Sequence, residues 1–315
     1  MSFKLGLVGL CTSHPEAWLP IIRRLTAERK IDVEVVAAWD SGETRPRGFA
    51  SEFCDKNNVV RPVENLAEMV PLVDGVIVHT TNWDRHLEHA EPFLSVGKSV
   101  LIDKPFAGNL RDLNRFVDLI KSGSRICGGS SIRFSPELAE LQAKPMEERG
   151  ELHTAYTVLG MDDYNYGIHG YALLCGLFGG HLNSVRYLGD NGKKQLMLTW
   201  KSGKVAFYTM GRGPWLPSKV TVVSDKAVFN LEMTRFYETF LEKNLPYMVG
   251  QTNVMPIPVD ELMAPELAAL AARQSWMNHG QEIFLDDLRL DDPGYDGTAF
   301  AVEYRRARLP FAGGQ

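Results

Sequence analysis

The segment Ser99-Val100-Leu101-Ile102-Asp103-Lys104-Pro105 restricts the fold of this chain more than any other stretch. A continuous β-branched and aliphatic run reads as a parallel strand buried on both faces. Sheets of that kind hold ligands at the carboxyl ends of their strands. The proline ends the run, because it has no N–H to give a sheet ladder. Lys104 is therefore expected on a stiff, solvent-lined turn at the mouth of a crevice.

The sequence around this segment alternates in the same sense. Residues 4–10 read as a buried strand, and 15–28 as a helix with Pro15 in its first turn. Residues 33–39 form a second strand ending at Asp40. Helices are expected at 49–56, 64–70, 84–96 and 110–122, with strands at 75–79, 99–102 and 125–127. Strands separated by helices imply a parallel sheet with right-handed crossovers, here a doubly wound, nucleotide-binding domain over residues 1–128. Beyond Gly128 the pattern changes. A helix at 135–149, a strand at 152–159 and a helix at 167–178 precede strands at 184–188, 195–200, 204–210, 219–223 and 227–231. Ser202-Gly203 and Ser224-Asp225 stand where hairpin turns belong. A helix at 260–278 closes on His279-Gly280. The expected fold is α/β: an N-terminal Rossmann doubly wound parallel sheet plus a C-terminal α+β domain, residues 129–315. That second domain carries a large, open, mostly antiparallel sheet. A sheet covered by helices on one face leaves the other for a second copy, in a homodimer or homotetramer.

Composition excludes several partners. The net charge of −5, with no long basic block, argues against nucleic acid and anionic membrane surfaces. No apolar segment reaches the roughly 18 residues of a membrane helix, and the chain starts in a strand rather than a leader. Cys11, Cys54, Cys127 and Cys175 lack CxxC spacing, which suits reduced thiols in a cytoplasm. The eight histidines show no HExxH or similar spacing, so no metal is expected.

The turn after the first strand reads Gly9-Leu10-Cys11-Thr12-Ser13-His14. A GxGxxG fingerprint would put glycine at positions 9, 11 and 14, and only Gly9 is present. Thr12 and Ser13 still offer donors at a helix N-terminus, which attracts phosphate. Asp40 stands where an acid takes the ribose hydroxyls of NAD, and a helix-capping role fits it equally. Arg45 and Arg47 beyond it suit the extra phosphate of NADP, so both cofactors stay open. His79, Thr80, Thr81 and Asn82 follow another strand, with His86 on the next helix. Trp83, Tyr164, Tyr166 and Trp215 are candidates to frame a sugar ring or to pack in a core.

Taken together these segments resemble the Gfo/Idh/MocA oxidoreductase family over nearly the whole chain. Residues 74–78 followed by Thr80 and His86 are similar to its strand-plus-ATPxxxH region. Residues 96–105 are similar to its AGKHVLCEKP signature, with Asp103 for Glu. Arg133-Phe134-Ser135-Pro136 matches its RxxP element, and Asn165-Tyr166-Gly167-Ile168-His169 its DxGxH helix start, with Asn165 for Asp. Gln274-Ser275 and Gly280-Gln281-Glu282-Ile283 fit its final helix and closing strand.

The resemblance implies NAD(P)-dependent hydride transfer to or from a hydroxyl-bearing carbon of a sugar or cyclitol. It implies Lys104 beside the nicotinamide and the substrate hydroxyl, and His169 as acid or base on that hydroxyl. An imidazole titrates near neutrality, and a nearby ammonium stabilises developing alkoxide charge. Asn165 is expected to orient His169, with Asp162 or Asp163 as a substitute acid. Gly9, Cys11, Thr12, Ser13, His14, Asp40, Thr80, Thr81, Asn82, His86, Asp103 and Lys104 are the candidate cofactor-binding residues. The alternative is a non-catalytic member that binds a nucleotide or another ligand, favoured by Cys11, His14 and Asn165.

Overall fold

The computed structural model describes residues 1–211, 213 and 218–312. The first half builds a six-stranded sheet from β1 (Phe3–Val8), β2 (Val33–Trp39), β3 (Arg61–Pro62), β4 (Gly75–Val78), β5 (Ser99–Asp103) and β6 (Ile126–Gly129). Its order is β3-β2-β1-β4-β5-β6. All of its pairings are parallel. Every residue of β4, β5 and β6 is buried, as strands covered by helices on both faces must be. Chain order reverses between β1 and β4, and at that switch point an α/β sheet opens a crevice.

The second half builds a seven-stranded sheet from β7 (Leu152–Val158), β8 (Leu182–Asp190), β9 (Lys194–Trp200), β10 (Val205–Met210), β11 (Lys219–Ser224), β12 (Val228–Glu232) and β13 (Ile283–Phe284). Only β7 with β10 runs parallel; the other pairs are antiparallel. Residues of Ile168–Phe178 and Ala264–Met277 join the inner-face residues of this sheet in one core. The outer face stays open: Tyr156, Val158 and Val228 are exposed, and the Tyr156 and Phe207 rings stack at 5.2 Å.

Several elements differ from expectation. The helix over 135–149 is two, Pro136–Ala143 and Met146–Arg149. Pro145 forces Lys144 into an extended conformation and cannot continue the hydrogen-bond ladder. The helix over 260–278 is likewise split into Val259–Leu262 and Ala264–Met277, with Pro265 in the first turn of the second piece. Short β3 and the helices Phe236–Met248 and Gly297–Ala312 are additional elements. The first of these helices lies far along the chain yet packs in the N-terminal core. Phe240, Leu241, Leu245 and Met248 sit there with Leu5, Trp18 and Leu101, and Ser99 Oγ donates to Met248 O at 2.7 Å.

Candidate active site

Lys104 directly follows β5, ahead of a cis peptide bond to Pro105. Its turn is not solvent-lined as expected, because the residue is only 7% exposed. Its Nζ donates to Asn165 O at 2.8 Å and to Asn165 Oδ1 at 3.2 Å, and lies 5.0 Å above the Tyr166 ring. Burial lowers the lysine pKa, opposed by the charges of Asp103 and Asp162.

His169 opens the helix Ile168–Phe178 and enters the same space from the other half of the chain. Its Nδ1 lies 2.7 Å from Ser130 Oγ. Burial first, then the positive charge of Lys104, holds its pKa well below the usual imidazole range. The ring is therefore neutral. Asn165 does not orient His169: its oxygens hold Lys104, and Ser130 holds the imidazole. Asp162 and Asp163 do not replace the missing acid. Asp162 accepts from Tyr164 N and Tyr166 N, both at 2.9 Å, and Asp163 pairs with Lys194 at 2.8 Å.

Lys104, His169, Asn165, Tyr166, Thr12, Ser13, His14 and Tyr237 line one cavity of about 90 Å³. That volume is below the roughly 300–1,000 Å³ of ligand pockets. A sugar-sized molecule enters only if the walls move.

Asp103 anchors the floor. Its Oδ1 accepts from Lys104 N at 2.8 Å, and its Oδ2 meets His14 Nδ1 at 2.5 Å and His79 Nδ1 at 3.1 Å. Burial alone would raise this carboxyl pKa; the charge of His14 and the bonds from both histidines outweigh it and hold the group well below its usual range. The three side chains are a donor set that zinc accepts. Two ligands at about 2.0–2.2 Å from one tetrahedral ion stand roughly 3.3 Å apart, however. The 2.5 Å contact between His14 and Asp103 is a hydrogen bond instead.

The other expected cofactor residues divide between crevice and scaffold. Gly9 has φ +83°, and a Cβ there would lie 2.8 Å from Thr80 N, so glycine here lets the turns after β1 and β4 approach closely. His86 is fully buried, with Nε2 2.6 Å from Thr80 O and Nδ1 3.1 Å from Phe106 O. It staples two loops and faces no crevice. Thr80 Oγ1 lies 2.8 Å from His89 Nδ1, Thr81 is buried, and Cys11 is fully buried with its Sγ 3.7 Å from Asp40 Oδ2. Burial raises the Cys11 thiol pKa. Asn82 caps the turn at Asp84 N and bonds Glu43 and Thr298. Trp83 and Tyr164 belong to the core of the second sheet; among the described residues of the expected aromatic frame only Tyr166 lines the cavity, and Trp215 lies outside the described residues.

The donor set fits a dinucleotide at both ends of its path. Thr12 and Ser13 stand at the N-terminus of helix His14–Ala27 and line the cavity. Asp40, Gly42, Arg47 and Phe49 line a separate crevice of about 350 Å³ beyond β2. Asp40 already accepts from Leu10 N at 2.7 Å and Gly42 N at 2.8 Å, which leaves part of its acceptor capacity for ribose hydroxyls. Between the two ends, residues 41–47 lie across the switch point. Glu43 Oε1 accepts from Asn82 Nδ2 at 2.7 Å, and Arg45 Nε donates to Leu10 O at 3.2 Å.

Ser130, Tyr237 and the bonding of Asp103 to His14 and His79 are site features beyond the sequence reading. Ser130 directly follows β6, on the ligand side by the same strand-end rule that marks Lys104.

Residues 3–129 match the model of the Gfo/Idh/MocA family, described as an oxidoreductase family with an NAD-binding Rossmann fold. The chain is 31% identical over 127 residues to 1,5-anhydro-D-fructose reductase of Ensifer adhaerens, covering 40% of this chain and 35% of that one. It is 29% identical over 114 residues to the NADP(+) scyllo-inositol 2-dehydrogenase of Bacillus subtilis, covering 35% of this chain and 33% of that one. Alignments to the curated relatives span less than half of their length. The structure of Lactobacillus casei myo-inositol dehydrogenase with NAD(H) and myo-inositol superposes with a TM-score of 0.73 at 17% identity, covering 90% of this chain and 97% of that one. Residues 3–129 thus match the Gfo/Idh/MocA oxidoreductase family with its NAD-binding Rossmann fold, and 90% of the chain shares the fold of the Lactobacillus casei myo-inositol dehydrogenase.

Proposed function

We propose that this chain is an NAD(P)-dependent oxidoreductase moving a hydride to or from a hydroxyl-bearing carbon of a sugar, cyclitol or related polyol. The observation that carries the reading is the single cavity lined by Lys104 from one half of the chain and His169 from the other. The dinucleotide, when bound, supplies the hydride acceptor or donor. Thr12 and Ser13 hold its phosphates, and Asp40 its ribose. Lys104 binds the substrate oxygen and stabilises alkoxide charge, held by Asn165. His169, neutral and fixed by Ser130, hydrogen-bonds the same hydroxyl as its proton leaves or returns. Arg45 is committed to Leu10 O and the Phe49 ring, so Arg47 is the arginine left for a 2′-phosphate, beside Asp40 in the same crevice. NAD and NADP both remain within this reading.

The chain works in the cytoplasm, as a dimer or tetramer through the open face of the second sheet. Its four cysteines are buried and joined in no disulfide, and no helix among the described residues is long and apolar enough to cross a membrane. A second reading, a binder without turnover, is favoured by the Glu43–Asn82 bond across the dinucleotide path. Titration of the protein with NADH and NADPH, followed by nicotinamide fluorescence, tests the first reading, and turnover of a polyol separates it from the second. Saturable binding of either supports the oxidoreductase; no binding at millimolar concentration overturns it.

A further inference from the structure

The cavity contains a second imidazole to which the proposed function gives no part. His14 begins the helix His14–Ala27, at the position where a dinucleotide fingerprint has its third glycine. Its ring stacks on Trp18 at 5.1 Å and meets Tyr237 edge-on at 5.2 Å. Its Nδ1 is 2.5 Å from Asp103 Oδ2. These contacts fix both the plane of the ring and its rotation.

A carboxylate on Nδ1 selects the tautomer. When the ring is neutral, its proton stays between Nδ1 and Asp103, and the lone pair is left on Nε2. No described residue hydrogen-bonds to that Nε2, while the side chain keeps 9% exposure and lines the cavity with Lys104 and His169. The groups around the ring sort themselves by what they can hold. His79 shares Asp103 Oδ2, but its own Nε2 is sealed in the core without a partner. His169 has a hydroxyl partner, Ser130, and Lys104 set against it. Tyr237 packs its ring across that of His14. Of the two imidazoles in the cavity, His14 is the one with a carboxylate behind it.

We propose that the His14–Asp103 pair is where the proton of a bound hydroxyl comes to rest, while His169 hydrogen-bonds that hydroxyl without keeping the proton. The substrate's O–H bond breaks, its electron pair stays on oxygen beside Lys104, and the proton bonds to His14 Nε2, directly or through one water. The resulting imidazolium is balanced by Asp103 across the Nδ1–H bond. The return of the proton reverses each change. This proposal takes the identity of the hydroxyl from the oxidoreductase reading; the tautomer it requires does not depend on that reading.

Nitrogen-15 NMR of the histidine rings, on the dinucleotide-free wild-type protein at neutral pH with His14 assigned by connectivity, tests it directly. The expected result is one fixed tautomer at His14, protonated at Nδ1 and bare at Nε2. A ring protonated at Nε2, or a mixture of tautomers, overturns the proposal whether or not a dinucleotide binds. In turnover, His14→Gln should lose about 10²–10⁴-fold in kcat with KM little changed and dinucleotide affinity intact. Turnover within about threefold of wild type would also overturn it. Failure of the wild-type protein to bind NADH or NADPH strikes the redox reading alone, and the tautomer then decides whether His14 is built to accept a proton.

Discussion

The Nζ of Lys104 is held by both oxygens of Asn165, the main-chain O at 2.8 Å and Oδ1 at 3.2 Å. A cation that follows strand β5 of the first sheet is thus fixed by a neutral residue that precedes helix Ile168–Phe178 in the second half. A carboxylate at this position would pair with the ammonium; an amide directs it without neutralising it. Asn165→Ala removes one of the two acceptors. Hydrogen bonds to charged groups contribute about 1.5–3 kcal/mol, so kcat/KM should fall by roughly 10- to 100-fold with the fold retained. An unchanged kcat/KM would mean that the main-chain oxygen alone positions the lysine.

Glu266 sets a pH dependence of stability. It is 2% exposed; Oε1 accepts from Phe106 N at 3.1 Å and Oε2 has no partner. Burial raises its pKa from 4.5 to about 7. A carboxyl whose folded pKa lies above its unfolded one weakens the fold as pH rises from the unfolded value through the folded value. At about 1.4 kcal/mol per unit, the loss well above pH ~7 approaches about 3.5 kcal/mol. Glu266→Gln should therefore stabilise the protein at pH ~8 and change little at pH ~4.5. Urea melts at the two pH values check this, and equal effects at both would contradict it.

The thiols should be inert in the folded chain. Cys11, Cys54, Cys127 and Cys175 are buried, and none is joined to another in a disulfide. Burial raises the Cys54 thiol to about 11 and the Cys175 thiol to about 12, and raises those of Cys11 and Cys127 as well. An aromatic disulfide reagent should label none of them quickly at neutral pH, and all four after denaturation. Fast labelling of the native protein would place a thiolate in the site.

The outer face of the second sheet should assemble. Tyr156 at 48% and Val158 at 41% exposure are apolar surface on central strand β7. Light scattering is expected to give a dimer or tetramer, and Tyr156→Glu a smaller species. A wild-type monomer at micromolar concentration would remove the assembly from the account.

The strand–helix alternation made the Rossmann half legible, because parallel strands buried on both faces leave unbroken apolar runs such as Val100-Leu101-Ile102. The match over residues 3–129 falls on that half. Helix Phe236–Met248 was not read from the sequence, although Phe240, Leu241, Leu245 and Met248 form a stripe of helical spacing. What no spacing discloses is that this stripe fills the other half's core. The site was legible as strand-end chemistry, which located Lys104 and the residues around it. Partner choice was not. Asn165 serves Lys104 and Ser130 serves His169, because the turn at 162–167 points its oxygens at the lysine; that depends on three-dimensional approach between segments 61 residues apart. Cys11 and Thr80 stand at strand ends as a cofactor ligand would, and tertiary packing turns them inward.

The central claim is that Lys104 and His169 act on one substrate hydroxyl. Dinucleotide reduction by wild type and by Lys104→Ala, over a panel of cyclitols and aldoses with circular dichroism as the fold control, tests it most directly. The account predicts turnover by wild type on at least one polyol, and loss of about 100-fold or more in a variant that remains folded. A folded Lys104→Ala protein that turns over like wild type would contradict it.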